Sequence, residues 1–284
     1  MVDKLQSRGL EVASPDFVHH CLKTIGYYRL SAYFMPFYQN LVSLEENRFT
    51  EGTAFENIWS LYVFDKALRL LVSDALETIE IALRASLTDV MSVRYGAHWY
   101  TESQHFAPND FFKLFIGKVN QICKKSDEVF LKHYFKKYDE PQYPPSWMMM
   151  ECLSFGTCVK VLINLHTLAD RRAICEIFGG HPTLIESWLG ALCYTRNLCA
   201  HHARLWNRWF VVTPKRAQGD PVTWKTHSFS EQCHIMARLL KSIDSGRALA
   251  WKSELFNLFE KSSHIAINRM GFTLDWRQDL FWEI

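Results

Sequence analysis

Between Ile58 and Leu87 apolar residues recur every three or four positions: Ile58, Leu61, Tyr62, Phe64, Leu68, Leu71, Val72, Ala75, Leu76, Ile79, Leu83 and Leu87. That spacing draws one stripe along an α-helix, because a 3.6-residue turn brings i, i+3 and i+4 to one face. Thr53-Ala54-Phe55-Glu56 reads as a capping box at its start, and Gly96, just past Tyr95, as its stop. Neither Gly nor Pro interrupts the run. One straight helix of this length would extend ~60 Å, so a kink or a split is expected.

The rest of the pattern is also helical. Ser14-Pro15-Asp16 reads as a cap followed by proline at the first helical position, opening a short helix that stops near Gly26. The aromatic run from Tyr27 to Phe34 fits a short helix or an extended segment. Further helices are expected around 110–124 and 127–137, then a break at Pro141, Pro144 and Pro145. Ser146 should cap a helix from Trp147 to about Leu165, and a small one should cover 170–178, ending at Gly179-Gly180. Thr183-Leu184-Ile185-Glu186 is a second capping box, and 214–221 reads as a loop. Helices from Ser228 to about Ile243 and over 248–263 precede an aromatic tail, 270–276, that should pack back on the body. No alternating strand pattern or hairpin signal is present.

Composition narrows the class. With 48% hydrophobic and 14% aromatic residues, the 284-residue chain can bury a sizeable core, which excludes a disordered protein. No apolar run is long enough for a membrane span, no secretory leader pattern opens the chain, and a cytoplasmic location is expected. The eight cysteines form no C-x-x-C pair and read as small buried hydrophobes rather than a zinc site. There is no glycine-rich phosphate loop, no H-E-x-x-H and no G-x-S-x-G. Neither a metal nor a cofactor is expected.

Charge changes the picture in one place. The net charge is only +2, yet Ser187–Gly219 contains no Asp or Glu and holds Arg196, Arg204, Arg208, Lys215 and Arg216. Inside it, Arg196-Asn197-Leu198-Cys199-Ala200-His201-His202-Ala203-Arg204-Leu205-Trp206-Asn207-Arg208 combines histidines, arginines and asparagines in an apolar, helical-looking context. A polyanion would feel this segment strongly, and a histidine among arginines can move a proton beside a phosphate. Asn197 lies four residues before His201 and can share its helical face. Arg196 and His201 are five apart, ~140° around an ideal helix, and converge only through a bent side chain, an irregular helix or a second subunit. Arg204 and Arg208 are four apart and would share a face suited to an RNA backbone or to solvent. The bland reading of Arg196 and His201 is a buried polar network bracing two helices. Trp206 and Trp209 read as core rather than base-stacking platforms. Glu80 and Arg84 have the spacing of an intrahelical ion pair.

Together with Ile25-Gly26-Tyr27-Tyr28-Arg29-Leu30-Ser31, Phe64-Asp65-Lys66-Ala67-Leu68-Arg69 and Ile79-Glu80-Ile81-Ala82-Leu83-Arg84, this window resembles the Abi-type abortive-infection proteins of bacteria, the AbiD/AbiF-like group. The likeness runs from about residue 8 to the C-terminus. That group falls in the HEPN superfamily of all-α domains, many of which are metal-independent ribonucleases. The helical pattern predicts a mostly α chain, one compact unit with an N-terminal helical extension at 1–52 and an internal break, if any, near 139–146; the resemblance implies that the part over 53–284 is a HEPN-like bundle with additional C-terminal helices. It also implies a phage-defence toxin that cuts RNA, with Arg196, Asn197 and His201 as the catalytic set. His202, one step on, also satisfies the family spacing, so the choice of histidine stays open. Arg204, Asn207 and Arg208 are the expected RNA contacts. The resemblance further implies a homodimer sharing a composite cleft and allows for an antitoxin, RNA or protein. A module that binds RNA or protein without cutting is the alternative.

Overall fold

A computed structural model describes residues 1–40, 47–219, 225–273, 275–278 and 282. These residues are mostly α-helical and contain no named strand, only isolated bridges such as Glu11 with Ala54. Twelve α-helices are described: α1 (Val2–Gln6), α2 (Pro15–Thr24), α3 (Tyr27–Phe34), α4 (Phe55–Tyr95), α5 (Phe111–Lys125), α6 (Val129–Lys137), α7 (Ser146–Cys152), α8 (Phe155–Ile163), α9 (Leu168–Cys175), α10 (Pro182–Ala200), α11 (Phe229–Ile243) and α12 (Ser245–Lys261).

The expected kink or split in the long helix is not a break: α4 runs 41 residues without interruption. A helix this long, ~60 Å, needs partners along its whole length. It has them, packing against α3, α7, α8, α9, α10, α11 and α12 in turn. The apolar stripe is buried except for the half-buried Tyr62, the buried face extends to Phe55 and Met91, and it also takes in Asp65, Arg69 and Ala82. The cap lies one residue later than expected. Ala54 is the N-cap, and its N–H donates to Asn57 Oδ1 (3.0 Å), while Thr53 Oγ1 turns back to the Thr50 carbonyl. Gly96 ends the helix at φ 86°, a left-handed conformation natural to glycine.

Three other helix boundaries differ. The helix expected from 147 to 165 is two, α7 and α8, separated at Leu153-Ser154; Ser146 lies inside α7 and its hydroxyl meets Ser92 Oγ (2.7 Å). Helix α9 starts earlier than expected, with Thr167 as its cap accepting from Asp170 N–H. Helix α10 starts at Pro182 with His181 as N-cap, so the Thr183–Glu186 pattern lies within the first turns; Glu186 pairs with Arg171 (3.0 Å). The aromatic run 27–34 is helical. The tail packs back as expected, with Met270, Phe272 and Trp276 buried. The loop expected at 214–221 falls partly outside the described residues.

Candidate functional site

Helix α10 stops sooner than the apolar pattern suggests. It ends at Ala200, with His201 as C-cap and His202 in the left-handed region at φ 55°. His202 N–H donates to the Cys199 carbonyl (2.9 Å) and Ala203 N–H to the Leu198 carbonyl (2.8 Å). This pair of bonds is a Schellman motif, in which the residue after the cap must turn left-handed. Glycine does this without cost; here a histidine does it. Residues 201–208 are therefore a loop. Asn197 and His201 keep their four-residue relation in the last turn, where His201 N–H donates to the Asn197 carbonyl (3.0 Å). Arg204 and Arg208 share no helical face.

The loop is held by a carboxylate that the charge pattern did not single out. Asp65 of α4 has no exposure to solvent. Its Oδ1 accepts the N–H groups of Leu205 (3.0 Å) and Trp206 (2.7 Å). Its Oδ2 accepts the Tyr33 hydroxyl (2.7 Å) and pairs with Arg69 one helical turn on. Burial alone would lower the Arg69 pKa; Asp65 and the Tyr33 oxygen outweigh it and hold the guanidinium above its ordinary value. Burial, then Asp65, push the Tyr33 hydroxyl above its usual range. A signal for this pair did exist. Asp65 and Arg69 fall in register with the buried positions Leu61, Leu68 and Val72, so a charge there had to be buried and matched.

Two of the expected RNA contacts are tied up in the same scaffold. The Arg204 guanidinium donates to the Ala32 carbonyl of α3 and to the Asn207 carbonyl (3.5 Å), and burial lowers its pKa. Arg208 donates to the Arg204 carbonyl (3.4 Å) and the Tyr194 hydroxyl (3.4 Å). Both are half-buried, with guanidinium N–H groups spent on acceptors of the fold. Asn207 is exposed, with a left-handed backbone at φ 50°. Trp206 is core, as expected, but Trp209 is not: it is 66% exposed and stacks on His227 at 4.1 Å between ring centroids.

The remaining polar groups gather at two clefts. In the first, about 450 Å³, Arg196 of α10 faces Glu77, Glu80 and Arg84 of α4. Arg196 Nε lies 3.7 Å from Glu80 Oε2, with 41% of its side chain exposed. Glu80 also pairs with Arg84, whose guanidinium reaches the Met150 carbonyl. The second cleft, about 530 Å³, is bordered by Arg29, Lys66, Arg69 and His202. The two share Ser73 and Ala200. Asn197 and His201 are exposed and border neither cleft. Arg196 is half-exposed and His201 exposed, so they do not form a buried brace.

Chemistry by cysteine has no support here. Burial raises the Cys193 and Cys199 thiols to about 12, and Cys158 to about 11, leaving them protonated and poor as nucleophiles or ligands at neutral pH. Among the described residues, no group of three or more His, Cys, Asp or Glu side chains is placed to hold a metal ion. Among them, too, no helix is long and apolar enough to cross a membrane.

The sequence model of the family described as Abi-like protein matches residues 20–207, about two thirds of the chain. The chain belongs to that family. The matched span starts in α2, takes in α3, all of α4 and α10, and closes at Asn207, so it contains every residue of both clefts and of the Asp65 network. Membership supports a role in abortive infection. No curated protein and no solved structure matches the chain.

Proposed function

We propose that this Abi-like protein is a metal-independent endoribonuclease of the HEPN type, acting as an abortive-infection toxin. The observation that carries the reading is how the end of α10 divides its polar residues. Arg204 and Arg208 are consumed by the fold. Arg196, Asn197, His201 and His202 reach the surface, and the three besides Arg196 make no side-chain hydrogen bond within the described chain. Polar groups that the fold leaves largely unused, crowded into seven residues at the end of α10, are what a phosphate chemistry needs.

The reaction would be attack of the 2′-hydroxyl on the adjacent phosphate. An imidazole takes the 2′-proton, the phosphorus–5′-oxygen bond breaks, and the leaving oxygen receives a proton, giving a cyclic 2′,3′-phosphate and a free 5′-hydroxyl. Arg196 offers planar donors to the developing phosphorane charge. Glu80 holds that guanidinium toward the cleft. His201 or His202 moves the proton, and the single-alanine variants below assign it. With His201 as the proton carrier the set would need a second copy to complete it, because His201 borders neither cleft. The exposed Leu70 (65%) and Ile81 (56%), which border the two clefts on α4, supply apolar surface for such a partner. An antitoxin, RNA or protein, would act by covering the same surface.

A second reading has one observation in its favour. Arg196 is already paired within its own subunit, as a guanidinium in a non-catalytic binding module would be. Cleavage of total RNA in chelator separates the two. The ribonuclease reading expects fragments ending in cyclic phosphate, a loss of at least about 100-fold for Arg196→Ala, and a comparable loss for one of His201→Ala and His202→Ala. Retained cleavage in all three variants, or full activity of a stable monomer, refutes it.

A further inference from the structure

The two clefts differ in charge, although they share a wall. The Arg196 cleft carries two glutamates against two arginines. The neighbouring cleft has Arg29, Lys66, Arg69 and His202 on its border and no carboxylate. Its basic side chains come from three separate parts of the chain: Arg29 from α3, Lys66 and Arg69 from α4, and the His202 imidazole from the loop. Asp65 offsets Arg69 from beneath. Lys66 is exposed and has no ion pair or hydrogen bond within the described chain. Arg29 is anchored by donating one N–H to the His202 carbonyl (2.7 Å), which leaves the rest of its fork available. The fold thus assembles positive charge around a concave space of about 530 Å³ and leaves most of it unneutralised.

We infer that the Arg29–Lys66–His202 cleft holds a backbone phosphodiester of an RNA strand, next along the strand from the phosphate held at Arg196. This rests on the RNA reading above but concerns binding rather than cutting. Three observations carry it. The cleft bears cations without acids, as phosphate requires. It adjoins the Arg196 cleft through Ser73 and Ala200, so a single extended strand can lie across both. The arginines expected to grip RNA, Arg204 and Arg208, are engaged elsewhere, so the backbone contacts fall to Arg29 and Lys66. These would set the strand's register without reading its sequence.

The test is binding of a short fluorescent single-stranded RNA, followed by anisotropy over a range of salt. The full chain is compared with Lys66→Ala, and with Lys113→Ala as a control at an exposed lysine of α5. Melting temperatures confirm that the variants fold. Lys66→Ala is expected to weaken binding several-fold for any RNA sequence and to reduce the slope of log K against log salt by about 0.7, the value for one single-strand phosphate contact. Lys113→Ala should change neither. Equal behaviour of the two variants, or no RNA binding by the parent chain, overturns the inference. So does displacement of the RNA by an equal concentration of adenosine monophosphate, which would assign the cleft to a free nucleotide. Cleavage is scored separately: Lys66-dependent binding without cleavage refutes the ribonuclease and leaves this site standing, whereas cleavage with Lys66-independent binding does the reverse.

Discussion

Replacing Asp65 with alanine removes the carboxylate from which the 201–208 loop hangs. Four donors lose their acceptor at once: the Leu205 and Trp206 N–H groups, the Tyr33 hydroxyl and the Arg69 guanidinium. Removing one partner of a buried ion pair costs about 3–5 kcal/mol, and a stranded buried donor about 1–3 kcal/mol. These costs overlap, because a loop that detaches lets water reach its own N–H groups. The net loss is therefore expected near 4 kcal/mol, a large part of the 5–15 kcal/mol typical of a folded domain. At about 2–4 °C per kcal/mol this is a fall of ~8–16 °C in Tm. Asp65→Asn keeps Oδ1 as acceptor for the two N–H groups but sets an NH2 donor where Oδ2 accepted from Tyr33 and Arg69, so it should keep only part of the stability that Asp65→Ala loses. Asp65→Ala with Arg69→Met removes the stranded cation and should recover part of it. Urea denaturation of the four proteins, with fitted m-values, provides the check. A loss below about 1 kcal/mol for Asp65→Ala, or a double variant weaker than the single one, would refute this account of how the loop is held.

Three further outcomes follow from the same geometry. His202→Gly should raise stability by about 0.5–1 kcal/mol, since glycine takes the left-handed position freely and the Arg29 bond to the main-chain carbonyl is kept; a lowered Tm would contradict the Schellman assignment. Arg204→Ala should destabilise by about 1.5–3 kcal/mol through the lost bond to the Ala32 carbonyl, while leaving the salt slope of RNA binding unchanged, and a shallower slope would return Arg204 to the RNA surface. Asp170 lies beneath Arg94, Tyr95 and Thr167; burial would raise its pKa, but these hydrogen bonds and the Arg94 charge hold it below the ordinary carboxylate value. Its contribution is present above the unfolded value near pH 4 and lost as pH falls through the lower folded value, so Asp170→Asn should lose less stability than the parent between pH 5 and pH 2, measured by denaturation, and an equal loss would refute the assignment.

Helices were legible wherever one face had to be apolar. The stripe from Ile58 to Leu87 is the buried face of α4 because period 3.6 is a geometric requirement that packing on seven other helices can only reinforce. Continuity was not legible. The expectation of a kink came from length alone, whereas helix ends are decided by local groups such as the Asn57 side chain at the Ala54 N–H. The same limit explains the split at Leu153-Ser154. Apolar residues continue on both sides, so the periodic pattern carries no mark of a break that tertiary packing imposes.

The basic window shows why site residues are harder to read than elements. The charge pattern alone ranks Arg196, Arg204 and Arg208 alike, since all three are arginines in an acid-free stretch. What separates them is whether a neutral acceptor of the fold, a carbonyl or a hydroxyl, lies within reach. Ala32 captures Arg204 and Tyr194 holds Arg208, and both contacts depend on where α3 and α10 sit. Arg196 meets only a carboxylate at 3.7 Å on the open side of α4. Conversely, Arg29 and Lys66 lie 130 residues or more before the window, and nothing in the charge pattern marks them as its neighbours. The link is Asp65, which draws Leu205 and Trp206 down onto α4 and so carries His202 to the cleft where Lys66 stands. A charged pair at core register, Asp65 with Arg69, is thus the sequence feature that points from the long helix to the site. It marks the place where the fold holds a loop with ionic contacts, and loops held in that way are where polar side chains are left free to act.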